Sequence, residues 1–237
     1  MSSLRLGLVG AAGRMGQEIV EITQETPKQW KLEFANSKIE IAGFKTSRDD
    51  VNALAKSAAD VVIDFSSPEA LRALLKALTK SPKPLVSGTT GITDADMKAL
   101  KALAKKAPVF WAPNTSLGVA TLKQALRSLA AVADYDFQVE EVHHRFKKDA
   151  PSGTAKLLKT EVDKVTRKTS PAALSMRGGG VPGLHRVWAF GPEEWLCFEH
   201  MALQRKVFAR GAVQVARWIV DQKPGFYSMD DYLSEKN

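Results

Sequence analysis

Cysteine is nearly absent: Cys197 stands alone among 237 residues, so no internal disulfide can form and a reducing cytoplasm is the expected compartment. Long apolar runs are missing too. No stretch approaches the ~20 apolar residues of a membrane-spanning helix. The opening MSSLRLGLVG runs into a strand-like segment with no cleavage-site pattern, so neither a membrane partner nor a secretory route is expected. Repeats, low-complexity tracts and heptads are lacking, which sets aside solenoids, linkers and coiled coils. What remains is ordinary globular composition, 44% apolar and 25% charged, in a chain long enough for one large domain or two modest ones. A formal net charge of +8 favours anionic partners: nucleic acid, a membrane surface, nucleotides or dicarboxylates. The basic residues are scattered through helices such as Lys156–Lys168 and not gathered in a stripe with aromatics, so a solvated face fits better than a nucleic-acid interface.

The first half alternates short apolar strands with helical spacing, the rhythm of a parallel sheet covered by helices. Strands are predicted at Leu4–Val9, Ile39–Phe44, Val61–Phe65, Leu85–Ser87 and Val109–Ala112. Ser67 and Pro68 have the chemistry of a helix start, and Thr93 with Asp96 that of a capping box for a helix running to Lys106. Beyond Asn114 the pattern changes. A helix with Leu122, Leu126 and Leu129 on one face leads into Phe137–Val142, and the strands Val187–Phe190 and Trp195–His200 lack intervening helices. A mixed or antiparallel second sheet is expected, with a helix through Leu158, Val162 and Val165, and a loop from Arg177 to His185 whose glycines oppose regular structure. A last helix through Phe208, Ala212, Val215 and Ile219 returns to the first sheet. The fold class is therefore α/β: a Rossmann-type parallel-sheet domain, 1–116 and 211–237, with an inserted α+β mixed-sheet domain, 117–210.

Gly10-Ala11-Ala12-Gly13-Arg14-Met15-Gly16 follows a strand and opens a helix, where glycines let a backbone approach a pyrophosphate and aim helix amides at it. A plain strand-to-helix turn would use the same residues, but the element order favours a dinucleotide. At the tip of the second strand, Phe44-Lys45-Thr46-Ser47-Arg48 has no acid before Asp49 to accept a ribose hydroxyl. Lys45, Ser47 and Arg48 suit a 2′-phosphate, so NADPH is expected over NADH, which stays admissible; an ordinary basic turn is the alternative. Gly88-Thr89-Thr90 and Ala112-Pro113-Asn114-Thr115 follow the fourth and fifth strands, where an open parallel sheet binds ligands, and turn chemistry alone would also account for them.

The densest chemistry lies between Glu140 and Thr154. On a continuing strand His143 and His144 point to opposite faces, and His185 and His200 are far along the chain, so no metal site is expected. Proton transfer is the better use of these imidazoles, with Lys147 as a proton donor or a charge for a carboxylate. Ser152, Gly153 and Thr154 precede a helix and form a candidate carboxylate cradle; a basic loop with an ordinary N-cap is the competing reading. Cys197, inside a strand, reads as a small core hydrophobe and not as the thiolate of a semialdehyde dehydrogenase.

Five segments together resemble the dihydrodipicolinate reductase family: Gly10–Gly16, Asp64–Glu69, Gly88–Gly91, Glu141–Ala155 and Arg177–His185. The resemblance implies a cofactor domain, a substrate domain that builds a homotetramer, a hinge closing one upon the other, and NAD(P)H-dependent reduction of a small dicarboxylate on the diaminopimelate route to lysine. It implies His143 as acid/base and Lys147 as proton donor, His144, Gly153 and Thr154 on the dicarboxylate, and Gly10–Met15, Gly88–Thr90 and Ala112–Thr115 on the cofactor. Thr115, Phe146 and Ala120 depart from the usual family residues. A non-catalytic NADP-binding sensor and a nucleic-acid-binding protein are the alternative functions.

Overall fold

The computed structural model describes residues 4–24, 39–41 and 51–235. In chain order the elements are β1 (Leu4–Val9), α1 (Arg14–Gln24), β2 (Ile39–Ile41), α2 (Val51–Lys56), β3 (Val61–Asp64), α3 (Pro68–Lys80), β4 (Leu85–Ser87), α4 (Asp94–Leu103) and β5 (Pro108–Trp111). There follow α5 (Leu117–Ala125), a 3-10 segment (Leu126–Val132), β6 (Asp136–His143), α6 (Gly153–Thr166), β7 (Leu174–Arg177), β8 (Gly183–Phe190), β9 (Trp195–Ala202), α7 (Lys206–Ile219), β10 (Gly225–Tyr227) and α8 (Met229–Ser234). They divide into two compact units, one of residues 1–116 with 208–237 and one of 117–207.

The first unit is built on a parallel sheet in the order β10-β5-β4-β3-β1-β2. Strand β3 is buried throughout, as apolar strands covered on both faces must be. Against it lie Leu71, Leu74 and Leu78 of α3, one helical face at spacings of three and four, packed in a core with Val62, Leu85 and Val109. Each such side chain contributes about 2 kcal/mol by leaving water. The predicted helix starts are present: the Ser67 hydroxyl accepts from the Ala70 amide at 3.3 Å with Pro68 first in the helix, and Thr93 and Asp96 form a reciprocal capping box.

The second unit carries a mixed sheet, β7-β6-β8-β9, in which β6 and β7 are parallel and β6, β8 and β9 antiparallel. One face, with Phe137, Val139, Val187 and Ala189, is covered by Leu158 and Val162 of α6 and by Leu126 and Leu129 of the 3-10 segment. The opposite face leaves Leu174, Met176, Trp195 and Met201 exposed.

Several expectations shift. The helix from Thr93 stops at Leu103, and the helical stretch before β6 tightens from α to 3-10 at Leu126. The glycine loop is shorter than its composition suggested: β7 ends at Arg177 and β8 begins at Gly183, because strand pairing tolerates an isolated glycine. Strands β7 and β10, too short to show a period, were not legible. Cys197 is exposed, not core, since it alternates with Leu196 and Phe198 onto the uncovered face of β9. The predicted strand tip at Lys45, Ser47 and Arg48 lies outside the described residues. Among the described residues, no helix is long and apolar enough to cross a membrane.

Candidate active site

In the first unit, Gly10 adopts a positive φ of 84°, and the Gly13 amide donates to the Gly10 carbonyl at 2.9 Å, closing the turn from β1 into α1. A Cβ at Gly10 would strike the Phe65 carbonyl, and one at Gly16 the Gly10 carbonyl. These two glycines serve the chain's own packing. Gly13 differs: its Cβ would meet only the Gly10 carbonyl, at 3.2 Å, and with Ala12 and Arg14 it is exposed. The open glycine at the helix entrance is the place where a backbone can be approached by a pyrophosphate.

Beside this turn, buried Asp64 ends β3 and gathers three hydroxyls. Ser66 donates to one carboxylate oxygen, while Ser87 (2.8 Å) and Thr89 (2.7 Å) donate to the other. Thr89 in turn accepts from the Ser66 amide at 3.1 Å, and Trp111 donates its indole N–H to the Thr89 carbonyl at 3.0 Å. Burial pushes the Asp64 carboxyl up, and the hydroxyls work against it. The segment Gly88-Thr89-Thr90 is thus pinned through Thr89, with Thr90 facing solvent. Of the next segment, Ala112 is buried, Pro113 exposed, and Asn114 accepts from the Ser116 amide at 2.8 Å. Thr115 is 1% exposed and donates its hydroxyl to the Phe208 carbonyl at 2.7 Å, so it braces the chain from within.

In the second unit the strand register assembles the chemistry. Glu141 pairs across with His185 on β8 and Ser175 on β7, and His185 pairs with His200 on β9. His143, two residues on from Glu141, shares its face and stands opposite Arg177. The Glu141 carboxylate is fully buried. One oxygen accepts from Arg177 Nη2 at 2.8 Å and from the Ser152 amide at 3.1 Å; the other lies against His143 Nδ1. Burial works to raise the Glu141 carboxyl, but Arg177, Ser175, the Ser152 amide and His143 prevail and bring it to about 2.

His143 is 6% exposed, and its ring meets that of His185 edge-on with centroids 5.1 Å apart. Burial lowers its basicity, Glu141 opposes this, and the cations Lys147 and Arg177 add to the lowering. His185 is pushed to about 3, by burial first and then by its charged neighbours, so it is a neutral wall at any ordinary pH. Gly183 completes the wall: a Cβ there would lie 3.0 Å from His143 Nε2. Lys147 sits in a turn after β6, its Nζ 2.8 Å from Asp149 Oδ1, and Arg205 Nη2 lies 3.2 Å from His144 Nε2.

Helix α6 begins beside this cluster with Ser152 as N-cap, its hydroxyl accepting from the Ala155 amide at 3.1 Å. Ser152, a candidate ligand residue from the sequence, has its amide on Glu141 and its hydroxyl on the helix and is 1% exposed, whereas Gly153 and Thr154 follow it as the first residues of α6. The structure also brings together residues to which no role was assigned from the sequence: Glu141, Arg177, His185 and His200. The alternation of Glu141 with His143 marks a shared strand face and could have flagged the first. The ground for setting metals aside is corrected too, since antiparallel pairing erases the distance between His143 and His185. Glu141, His143 and His185 offer ligand atoms within 4.8 Å of one another, but Arg177 already occupies the carboxylate with a positive charge.

A family model described as dihydrodipicolinate reductase, N-terminus, matches residues 4–115, and one described as dihydrodipicolinate reductase, C-terminus, matches 118–233. The 4-hydroxy-tetrahydrodipicolinate reductase of Bdellovibrio bacteriovorus is 46% identical over 237 residues, covering 100% of this chain and 99% of its own. That of Zymomonas mobilis is 40% identical, covering 98% of each. Among solved structures, a dipicolinate-bound dihydrodipicolinate reductase from Paenisporosarcina sp. TG-14 superimposes with a TM-score of 0.75 at 20% identity, over 95% of this chain and 97% of that one.

Proposed function

The chain belongs to the dihydrodipicolinate reductase family, and from this premise we propose that it reduces 4-hydroxy-tetrahydrodipicolinate to tetrahydrodipicolinate on the diaminopimelate route to lysine. The observation that carries the reading is the cluster of Glu141, His143 and Arg177 placed beside the start of α6. An oxidoreductase of this kind requires a pyridine nucleotide. Gly10, Ala11, Ala12, Gly13, Arg14 and Met15, with Gly88, Thr89, Thr90 and Ala112–Thr115, would hold it, and the open space at Gly13 fits a pyrophosphate. When bound, a reduced nicotinamide supplies the hydride that the substrate accepts at C4.

The chain's own groups handle the protons. Neutral His143 can take a proton from C3 at Nε2 while the 4-hydroxyl leaves, and Lys147 protonates that hydroxyl to water. After hydride has arrived at C4, His143 returns its proton to C3 and Lys147 regains one from solvent, so overall one hydride and one solvent proton are consumed and one water leaves. Gly153 and Thr154 at the amide end of α6, together with the paired His144 and Arg205, would hold the carboxylates.

NADPH is the preferred donor in this reading, on the strength of Lys45, Ser47 and Arg48 and the absence of an acid before Asp49. The uncovered face of the second sheet, with exposed Trp195, Met201, Leu174 and Met176, supports a homotetramer assembled through it. The lone thiol supports a cytoplasmic enzyme.

The test is NADPH oxidation with the product of the preceding synthase as substrate. His143→Ala and Lys147→Ala should each lose about 10²-fold or more in turnover while binding NADPH as the native chain does. Turnover near native in both would end the assignment. A higher kcat/KM with NADH would end the cofactor preference.

A further inference from the structure

Three groups packed around the catalytic histidine take no part in the proton transfers just described. They are the Glu141 carboxylate, the Arg177 guanidinium and the Ser152 amide. We propose that Glu141 is a positioning residue which fixes His143 as its Nδ1–H tautomer, leaving Nε2 as the reactive nitrogen, and which ties that imidazole to the substrate-binding end of α6. The inference deepens the proposed reaction and rests on it for its kinetic arm.

The geometry leaves little choice of partner. His143 Nδ1 faces one Glu141 oxygen, and a deprotonated carboxylate can only accept, so the proton belongs on Nδ1. The other oxygen is already filled by Arg177 and by the Ser152 amide, which prevents the carboxylate from rotating away. Arg177 is held in its turn, donating to the Asp149 carbonyl at 2.6 Å. Nε2 points toward Gly183, where the missing side chain leaves room beside the ring. His185, against the other edge of the ring, carries no charge at ordinary pH and does not compete for the carboxylate.

The same oxygen that meets Arg177 also receives the amide of the α6 N-cap. One carboxylate therefore sets the position of the proton-transfer group and of the cradle. A substrate anchored at Gly153 and Thr154 is held in register with Nε2 by this single residue. A purely structural ion pair of Glu141 with Arg177 would not require His143 to carry its proton on a particular nitrogen.

Two measurements separate these cases. Neutron diffraction from crystals grown in deuterated solvent at neutral pH should show deuterium on His143 Nδ1 and none on Nε2; the reverse overturns the proposal without reference to activity. In the kinetic arm, Glu141→Gln should lower kcat roughly tenfold to hundredfold. The charged groups facing His143 are Glu141, Lys147 and Arg177 with neutral His185, so removing the one anion lowers the imidazole's proton affinity, and the acid limb of the kcat/KM profile should move to lower pH. An unmoved limb in a folded Gln variant that binds NADPH normally overturns the proposal. If Glu141→Gln does not fold, the diffraction result decides. Failure of the reaction assignment itself would appear differently, as a His143→Ala variant of native turnover.

Discussion

Gly183→Ala isolates the space that the site needs. A Cβ added there would lie 3.0 Å from His143 Nε2 and 3.2 Å from His185 Cε1, against 3.4 Å for the start of ordinary contact. The His143 ring must yield 0.4 Å and the His185 ring 0.2 Å. Neither is the loose end of a flexible chain: both are more than nine-tenths buried, and His143 is held at Nδ1 by Glu141. Overfilling a packed region costs about 1–3 kcal/mol. A misplacement of about 1 Å can cost 10²-fold in rate, so a few tenths of an ångström should lower kcat roughly three- to tenfold. Steady-state turnover, NADPH titration and thermal melting of the same variant form the assay. Turnover should fall, melting should drop by a few degrees, and NADPH affinity should hold, because Gly183 lies in the second unit. Native kcat and melting together would refute the claim that an empty position keeps Nε2 usable.

Acid should weaken the second unit in two stages. His185 is lowered from 6.5 to about 3, so its contribution is complete above pH 6.5 and is lost as pH falls from there toward 3. Glu141, lowered from 4.5 to about 2, adds a loss that begins below pH 4.5. Melting temperatures from pH 7 to 4 should fall for the native chain and fall less for His185→Gln; equal slopes would contradict the burial argument. If assembly uses the uncovered sheet face, Trp195→Lys should lower the mass seen by sedimentation and speed alkylation of Cys197, whose thiol burial pushes up and whose position is on that face. Unchanged mass and alkylation would move the interface elsewhere.

The parallel sheet was readable because its strands are apolar on both faces and two of its helices carry explicit start chemistry at Ser67, Pro68, Thr93 and Asp96. Gly10 and Gly13 were readable for a similar reason, since a turn between strand and helix leaves few residue choices. The candidate cluster was half legible. His143, Lys147 and Thr154 lie in one segment, whereas Arg177 and His185 arrive through strand register, a long-range property that no local pattern encodes. Cys197 misled because a strand with a single covered face buries alternate residues, and which alternates are buried depends on the layer packed against it.

Strand β10 pairs with β5 although the whole of the second unit lies between them in the chain. During synthesis the ribosome releases 117–207 before it releases the last strand of the first sheet. The β5 edge must therefore wait, bare, while the inserted unit has all its own residues at hand and can fold first. A nascent polypeptide stalled before β10 would expose that edge to neighbouring chains, which makes β10 the safeguard of the β5 edge against aggregation during translation.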